Sequence, residues 1–360
     1  MAATRHVRFS VLDLAPVPSG ATSAVALRNS LDLGRHVERL GYYRYWVAEH
    51  HNMPGIASSS PAVLIGHIAD VTSTMRVGSG GVMLSNHAPL AVAEQFGMLE
   101  AFHPGRIDLG IGRAPGTDQL TAALLRGRHD YSVDDFPRQL GQLLRSFNGE
   151  LGGPSGFFTG DLGGPSEQPF GQITAVPAQG NVPAFWLLGS STYSAQVAAY
   201  LGLPFAFAHH FMPENTLPAL AAYRSLFRPS AQLQQPYALV AVAVVCADSD
   251  ERAAWMALPS ALSFLRLRSG RPGLLPTPEE AAAYPYSPDE LAFVRNRLQH
   301  QVIGGPMTVR RGLTELLERT SADELMLTTV VHAHADRLRS YELVASEVMP
   351  RLPAAEYSAI

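Results

Sequence analysis

Five polar clusters close apolar, strand-like runs in this 360-residue chain, and chemistry would be sought there first. They are Asp13, Glu49-His50-His51-Asn52, Ser85-Asn86-His87, Gly110-Ile111-Gly112-Arg113 and His209-His210. Imidazole titrates near neutral pH, so His50, His51, His87 and His209 are groups that can take or give a proton. Glu49, next to two of them, is a candidate catalytic carboxylate. A metal centre is the competing reading of Glu49-His50-His51. Neighbours on an extended strand point to opposite faces, so His50 and His51 reach one ion only across a sharp bend. The plainer alternative is a histidine hydrogen-bonded to loop backbone.

Two further segments suit a bound ligand. Gly78-Ser79-Gly80-Gly81 lies inside a strand-like run. Glycine weakens a strand and marks either a bulge or a place where a ligand approaches the backbone closely. A flat aromatic ring against Gly80 and Gly81 fits the second case, a barrel bend the first. Gly189-Ser190-Ser191 leads from a strand straight into a helix, where free N–H groups and hydroxyls make an anion site. Arg113 can bring a bidentate charge to the same phosphate; ordinary N-capping by either serine is the alternative. No Gly-x-Gly-x-x-Gly fingerprint follows the first strand, so this is not a Rossmann phosphate loop.

The elements that must position these residues alternate. Residues 7–12 are apolar and β-type, and Thr22 or Ser23 caps a helix with apolar residues Leu27, Leu31, Val37 and Leu40 at three- and four-residue steps. Residues 45–48, 76–84 and 106–111 read as the next strands, with helices opening at Ser60-Pro61 and Ala88-Pro89. The strand ends at Asp13, Ala48, Leu84 and Ile111 are about 27 to 36 residues apart. That rhythm fits βαβ units in a parallel sheet, closed as a barrel or doubly wound. Residues 185–188, 204–208, 237–246 and 325–330 continue the strands, and about eight of each element favours a closed barrel. Residues 149–180, rich in Gly, Pro and Ser, read as a surface insertion after strand four. The proline-rich stretch 269–305, before the last βα unit, reads as an irregular lid.

Composition narrows the partners. Apolar residues make up 46% of the chain and charged ones 16%, which suits a broad parallel sheet covered by helices. The net charge of −4 comes from interspersed acids and bases, so no basic stripe for nucleic acid is expected. Cys246, the one cysteine, permits no intramolecular disulfide and no cysteine-based metal cluster, and is expected in the core. No apolar run approaches the roughly 18–20 residues that cross a bilayer, and the first ten residues do not read as a signal peptide. The expectation is a cytoplasmic protein without a membrane partner. His332 and His334 read as surface histidines.

Taken together the segments resemble the bacterial luciferase-like monooxygenase family. The matching text is Phe9-Ser10-Val11-Leu12-Asp13, then Tyr45-Trp46-Val47-Ala48-Glu49-His50-His51, then Arg76-Val77-Gly78-Ser79-Gly80-Gly81-Val82-Met83-Leu84. It continues with Glu100-Ala101-Phe102-His103-Pro104-Gly105-Arg106-Ile107-Asp108-Leu109-Gly110-Ile111-Gly112-Arg113 and with Gly189-Ser190-Ser191. The similarity runs in order along nearly the whole chain.

The resemblance implies an α/β fold, a (β/α)8 TIM barrel making one domain over residues 1–360, with reduced FMN at its C-terminal mouth. It implies that His50, with Glu49 beside it, assists proton transfer around the flavin. It places Gly80-Gly81, often a cis peptide in such proteins, under the isoalloxazine ring. Arg113, Gly189, Ser190 and Ser191 match the phosphate site, and Asp13 lies among the cofactor-binding positions. His51, His87, His209 and Phe211 would line the substrate pocket. Tyr193 departs from the pattern, standing where some members carry a small hydroxyl residue. The resemblance further implies dioxygen and a small organic substrate as reactants, a separate reductase that supplies reduced FMN, and a homodimer. Three other readings stay open: a deazaflavin-dependent hydride-transfer enzyme, a flavin-binding protein without turnover, and a barrel binding a sugar phosphate.

Overall fold

The computed structural model describes residues 7–127, 135–147 and 173–352; residues 149–172 of the expected insertion lie outside them. Its centre is a closed parallel barrel. The strands are β1 (Arg8–Asp13), β2 (Arg44–Val47), β3 (Arg76–Ser79), β4 (Val82–Met83), β5 (Ile107–Gly112), β6 (Ala184–Gly189), β7 (Phe205–Phe207), β8 (Ala238–Cys246), β9 (Val302–Gly304) and β10 (Glu324–Thr328). The order β10-β1-β2-β3-β5-β6-β7-β8 is closed by the pairing of β8 with β10, Leu239 opposite Glu324. This is the eight-stranded barrel expected from the alternation. The run 76–84, expected as one strand, breaks at Gly80-Gly81: β3 pairs with β5 at Val77 and β4 rejoins it at Val82. β9 lies outside the ring and pairs with the end of β8.

Local sequence explains the helices. Thr22 accepts from the Val25 N–H and so caps the helix Ser23–Arg39. Its Ala26, Ser30, Leu33, Gly34 and Val37 recur at three- and four-residue steps and are buried against the barrel. Gly41, at φ +82°, then turns the chain into β2. Fully burying a leucine such as Leu33 contributes about 1.5–3 kcal/mol.

The stretch 269–305 is more regular than expected. It holds the helices Pro278–Ala282 and Pro288–Gln299 and then β9. Pro278 and Pro288 occupy the first helical turn, after Thr277 and Ser287, each closing a capping box with a glutamate three residues on. Proline has no N–H to lose there, so the prolines that suggested irregularity mark helix starts.

Inside the barrel, a small apolar layer of Leu12, Trp46, Ala48, Trp186, Ala206, Leu239, Ala241 and Met326 sits above a charged floor. Arg44 donates to Asp108 and to Glu324, each at 2.7 Å, and stands 4.6 Å from the centroid of the Trp186 ring. Trp46 Nε1 donates to Asp108 at 2.9 Å, Tyr237 OH to Glu324 at 2.9 Å, and Ser10 Oγ to Glu324 as well. Burial opposes the Arg44 charge, but the two carboxylates outweigh it and raise the pKa. These residues begin their strands, so the floor lies opposite the mouth where the polar clusters gather.

Candidate active site

Glu49 organises the mouth. Its side chain is buried; Oε1 accepts from His51 Nε2 at 2.9 Å and from His87 Nε2 at 2.7 Å, and Oε2 accepts from the Met83 N–H at 3.0 Å. Burial pushes its pKa up, but the His51 and His87 hydrogen bonds outweigh that and hold it below the usual range. The carboxylate is therefore ionised and already occupied. Its geometry suits orienting two imidazoles and β4.

His50 is placed differently. Its backbone N–H donates to the Ser58 carbonyl at 3.0 Å, and Ser58 Oγ donates in turn to Ala48 O, so the loop after β2 is pinned on both sides. The ring is not used this way: Nδ1 is buried and has no partner among the described residues. Burial drives its pKa down to about 4, so the imidazole is neutral at pH 7 with a nitrogen to spare. Asn52, at φ +55°, turns the chain after His51, and its amide donates to Asp118 at 3.1 Å. The two histidines face different surroundings, as alternation along an extended segment requires. Among the described residues no group of three or more His, Cys, Asp or Glu side chains is arranged to hold a metal ion.

Asp13 is tied into the scaffold. It is fully buried; Oδ1 accepts from Arg337 Nη2 at 2.5 Å and from the Ala15 N–H at 2.7 Å, and Oδ2 from Tyr45 OH at 2.5 Å. Burial raises its pKa, but Arg337 together with the Ser30 and Tyr45 hydrogen bonds outweighs that and holds it below the usual range. With both oxygens committed to Arg337, Tyr45 and Ala15, Asp13 fixes the end of β1 from below.

The end of β7 splits its two histidines. His210 faces the barrel: its N–H and Nδ1 lie 2.9 and 3.1 Å from the carbonyl of Ala241, an inner-layer residue. His209 turns outward, with Nδ1 2.8 Å from Thr216 Oγ1, into a cleft of about 400 Å3 lined also by Glu214, His300, Arg311 and Arg319. That cleft contains none of the His50 group, so its size does not make it the reaction site. His210 interacts with His50, whereas His209 lines the outer cleft, as alternation at this strand end makes intelligible. Phe211 is 48% exposed and meets Phe264 edge to face.

The phosphate-type turn is intact. Gly189 ends β6 and Ser191 is the N-cap of the helix Thr192–Leu201, with no side-chain capping bond. Asn215 holds the turn by donating to Ser190 O at 3.2 Å. The Arg113 guanidinium lies 4.4 Å from the centroid of the Tyr193 ring, so the residue that departs from the family pattern steadies this cation beside the helix N-terminus. The Gly80–Gly81 peptide is cis. A Cβ on Gly81 would stand 2.8 Å from Gly110 O, and one on Gly80 2.7 Å from Leu12, so packing at the barrel bend itself requires glycine. At Gly110 a Cβ would meet Ser79 O at 2.0 Å.

Sequence reasoning missed Arg337, the Arg44–Asp108–Glu324 floor and the paired use of His51 and His87. A signal existed for Asp108: a charge inside the buried run Ile107-Asp108-Leu109 must find a partner.

A family profile described as luciferase-like monooxygenase matches residues 7–324. A luciferase-like monooxygenase of Escherichia coli is 45% identical over 94% of this chain and 96% of its own length. The N-acetyl-S-alkylcysteine monooxygenase of Bacillus subtilis is 31% identical over 95% and 98%. Among solved structures, apo-MsnO8 matches with a TM-score of 0.82 at 40% identity, over 97% of this chain and all of its own. Two more distant structures share the fold. They are the oxygenating constituent of 3,6-diketocamphane monooxygenase from Pseudomonas putida in complex with FMN (TM-score 0.68, 18% identity, 99% and 100% coverage) and the coenzyme F420-dependent tetrahydromethanopterin reductase of Methanopyrus kandleri (0.65, 14%, 97% and 100%).

Proposed function

The chain belongs to the luciferase-like monooxygenase family, and we propose that it is a flavin-dependent monooxygenase that uses reduced FMN and dioxygen to oxidise a small organic substrate. The observation that carries this reading is the half-buried, neutral imidazole of His50, whose buried Nδ1 has no partner among the described residues, at the barrel mouth. Such an atom at a barrel mouth is available to a bound ligand.

The residues present fit the cofactor. Ser191 keeps its hydroxyl uncommitted at a helix N-terminus, and Arg113 stands beside it on Tyr193, so a phosphate has hydroxyl, N–H and guanidinium donors. Gly80 and Gly81 keep side chains off the adjoining wall. Reduced FMN, once bound, supplies the electrons that activate dioxygen. His50 Nδ1 accepts or returns a proton as oxygen is transferred to substrate. Glu49 keeps His51 and His87 turned toward itself, and so fixes the rim on which the substrate rests. The helix Pro288–Gln299 reaches the end of β7, where Arg297 donates to the His210 carbonyl, and on this reading it limits water at the mouth.

Equilibrium titration tests the cofactor assignment. Wild-type protein is expected to bind reduced FMN more tightly than a reduced deazaflavin, and Arg113→Ala to lose about 10- to 100-fold of that affinity, the worth of one charged phosphate contact. A clear preference for the deazaflavin, or an Arg113→Ala variant with unchanged affinity, would sink the assignment.

A further inference from the structure

Arg297 carries a positive charge to the barrel mouth with no acid paired to it among the described residues. It belongs to the helix Pro288–Gln299, and its Nη1 donates to the His210 carbonyl at 2.5 Å. The guanidinium carbon lies 4.1 Å from the centroid of the Phe264 ring; Phe264 stacks on Phe293 and meets Phe211 edge to face. Nε is buried and has no hydrogen-bond partner among the described residues.

The electrostatics agree with the geometry. Burial lowers the Arg297 pKa, and no carboxylate among the described residues offsets it. His210 is pushed down to about 4 by burial first, with Arg297, His209 and His50 adding to the effect. Arg297, His210 and His50 thus share one neighbourhood. Arg297 is half-buried, and a partly desolvated guanidinium with no carboxylate beside it among the described residues is suited to receive an anion. A tether to His210 O alone needs a single donor and leaves the rest of the guanidinium fork unexplained.

We propose that Arg297 is the anion-recognition group of the substrate pocket, and that the substrate is an organic acid, a carboxylate or sulfonate, whose apolar body lies against Phe211 and Phe264. The proposal rests on the monooxygenase reading, whose substrate class it narrows. The planar fork matches two acidic oxygens, and the aromatic rings beside it accept the hydrocarbon. The seat on His210 O sets the acid end close to the histidines, so the acid group fixes which part of the molecule is presented for oxidation.

Calorimetric titration without flavin tests the proposal on wild-type protein, Arg297→Gln and Arg297→Lys. The probes are straight-chain and ω-phenyl carboxylates and the primary amides of the same chains. Wild type is expected to bind the acids about tenfold or more tighter than the amides. Arg297→Gln should erase that preference, Arg297→Lys keep part of it, and amide binding stay unchanged. Equal binding of acid and amide by wild type, no binding of either, or a preference kept by Arg297→Gln would each overturn the proposal. Titration with reduced FMN separates the two readings. If Arg297→Gln loses FMN affinity, the charge serves the cofactor phosphate and the proposal falls. If wild type does not bind reduced FMN at all, the monooxygenase reading falls, whatever the acid preference.

Discussion

Replacing His50 with alanine lowers kcat by about 10²- to 10⁴-fold, the usual contribution of one positioned acid–base group. Affinity for reduced FMN is expected to stay within about threefold, because the proposed phosphate site, Ser190, Ser191 and Arg113, lies elsewhere. The ring is neutral at pH 7, so it acts by lending Nδ1, not by lending charge. Stopped-flow turnover and flavin titration on the same variant check both halves; equal activity in the two proteins contradicts the role.

His50 also links stability to pH. Its folded pKa of about 4 lies below the ordinary 6.5, so the unfolded chain takes up a proton first as pH falls. Stability is therefore full above about pH 6.5 and is lost on the way down to about pH 4. The displacement from 6.5 to about 4 corresponds to roughly 3 kcal/mol. Urea midpoints between these pH values should fall less steeply in His50→Gln than in wild type.

Glu324→Ala is expected to destabilise the fold by about 3–5 kcal/mol, the cost of stranding a buried charge. Arg44 is only 3% exposed and Glu324 not at all, so water cannot replace the lost carboxylate. Tyr237 OH and Ser10 Oγ lose their acceptor in the same step. Asp108 still meets Arg44, but it already serves Trp46 and Arg76. Arg44→Met should cost a similar amount, since it leaves two carboxylates buried together. Urea unfolding measures both; a loss below about 1 kcal/mol would show the floor to be dispensable.

Much of this architecture could be read from the sequence, for physical reasons. Parallel strands buried on both faces are apolar runs, and their amphipathic helices keep a 3.6-residue period, so the alternation is visible in one chain. Local signals marked the helix starts at Thr22, Ser60 and Ala88 because capping and first-turn proline are local chemistry. The stretch 269–305 misled because Pro278 and Pro288 have the same composition in a loop and in a first helical turn. Asp13 stood at a strand end like the mouth residues, and only Arg337, 324 residues away, shows where its oxygens go. Telling His209 from His210 depended on one step of strand alternation, which the short strand Phe205–Phe207 did not define. Glu49 could be picked out by type; its partner His87 came from another loop, a long-range fact no local pattern carries.

If this chain directs the reaction of reduced FMN with dioxygen, rapid mixing shows it most directly. Protein loaded anaerobically with reduced FMN is mixed with oxygenated buffer while flavin absorbance and oxygen are followed. The predicted result is one oxygen consumed per flavin and a phase spectrally distinct from reduced and oxidised FMN, with altered decay in His50→Ala. Reoxidation with the spectrum and rate of free reduced FMN, in wild type and variant alike, would contradict it.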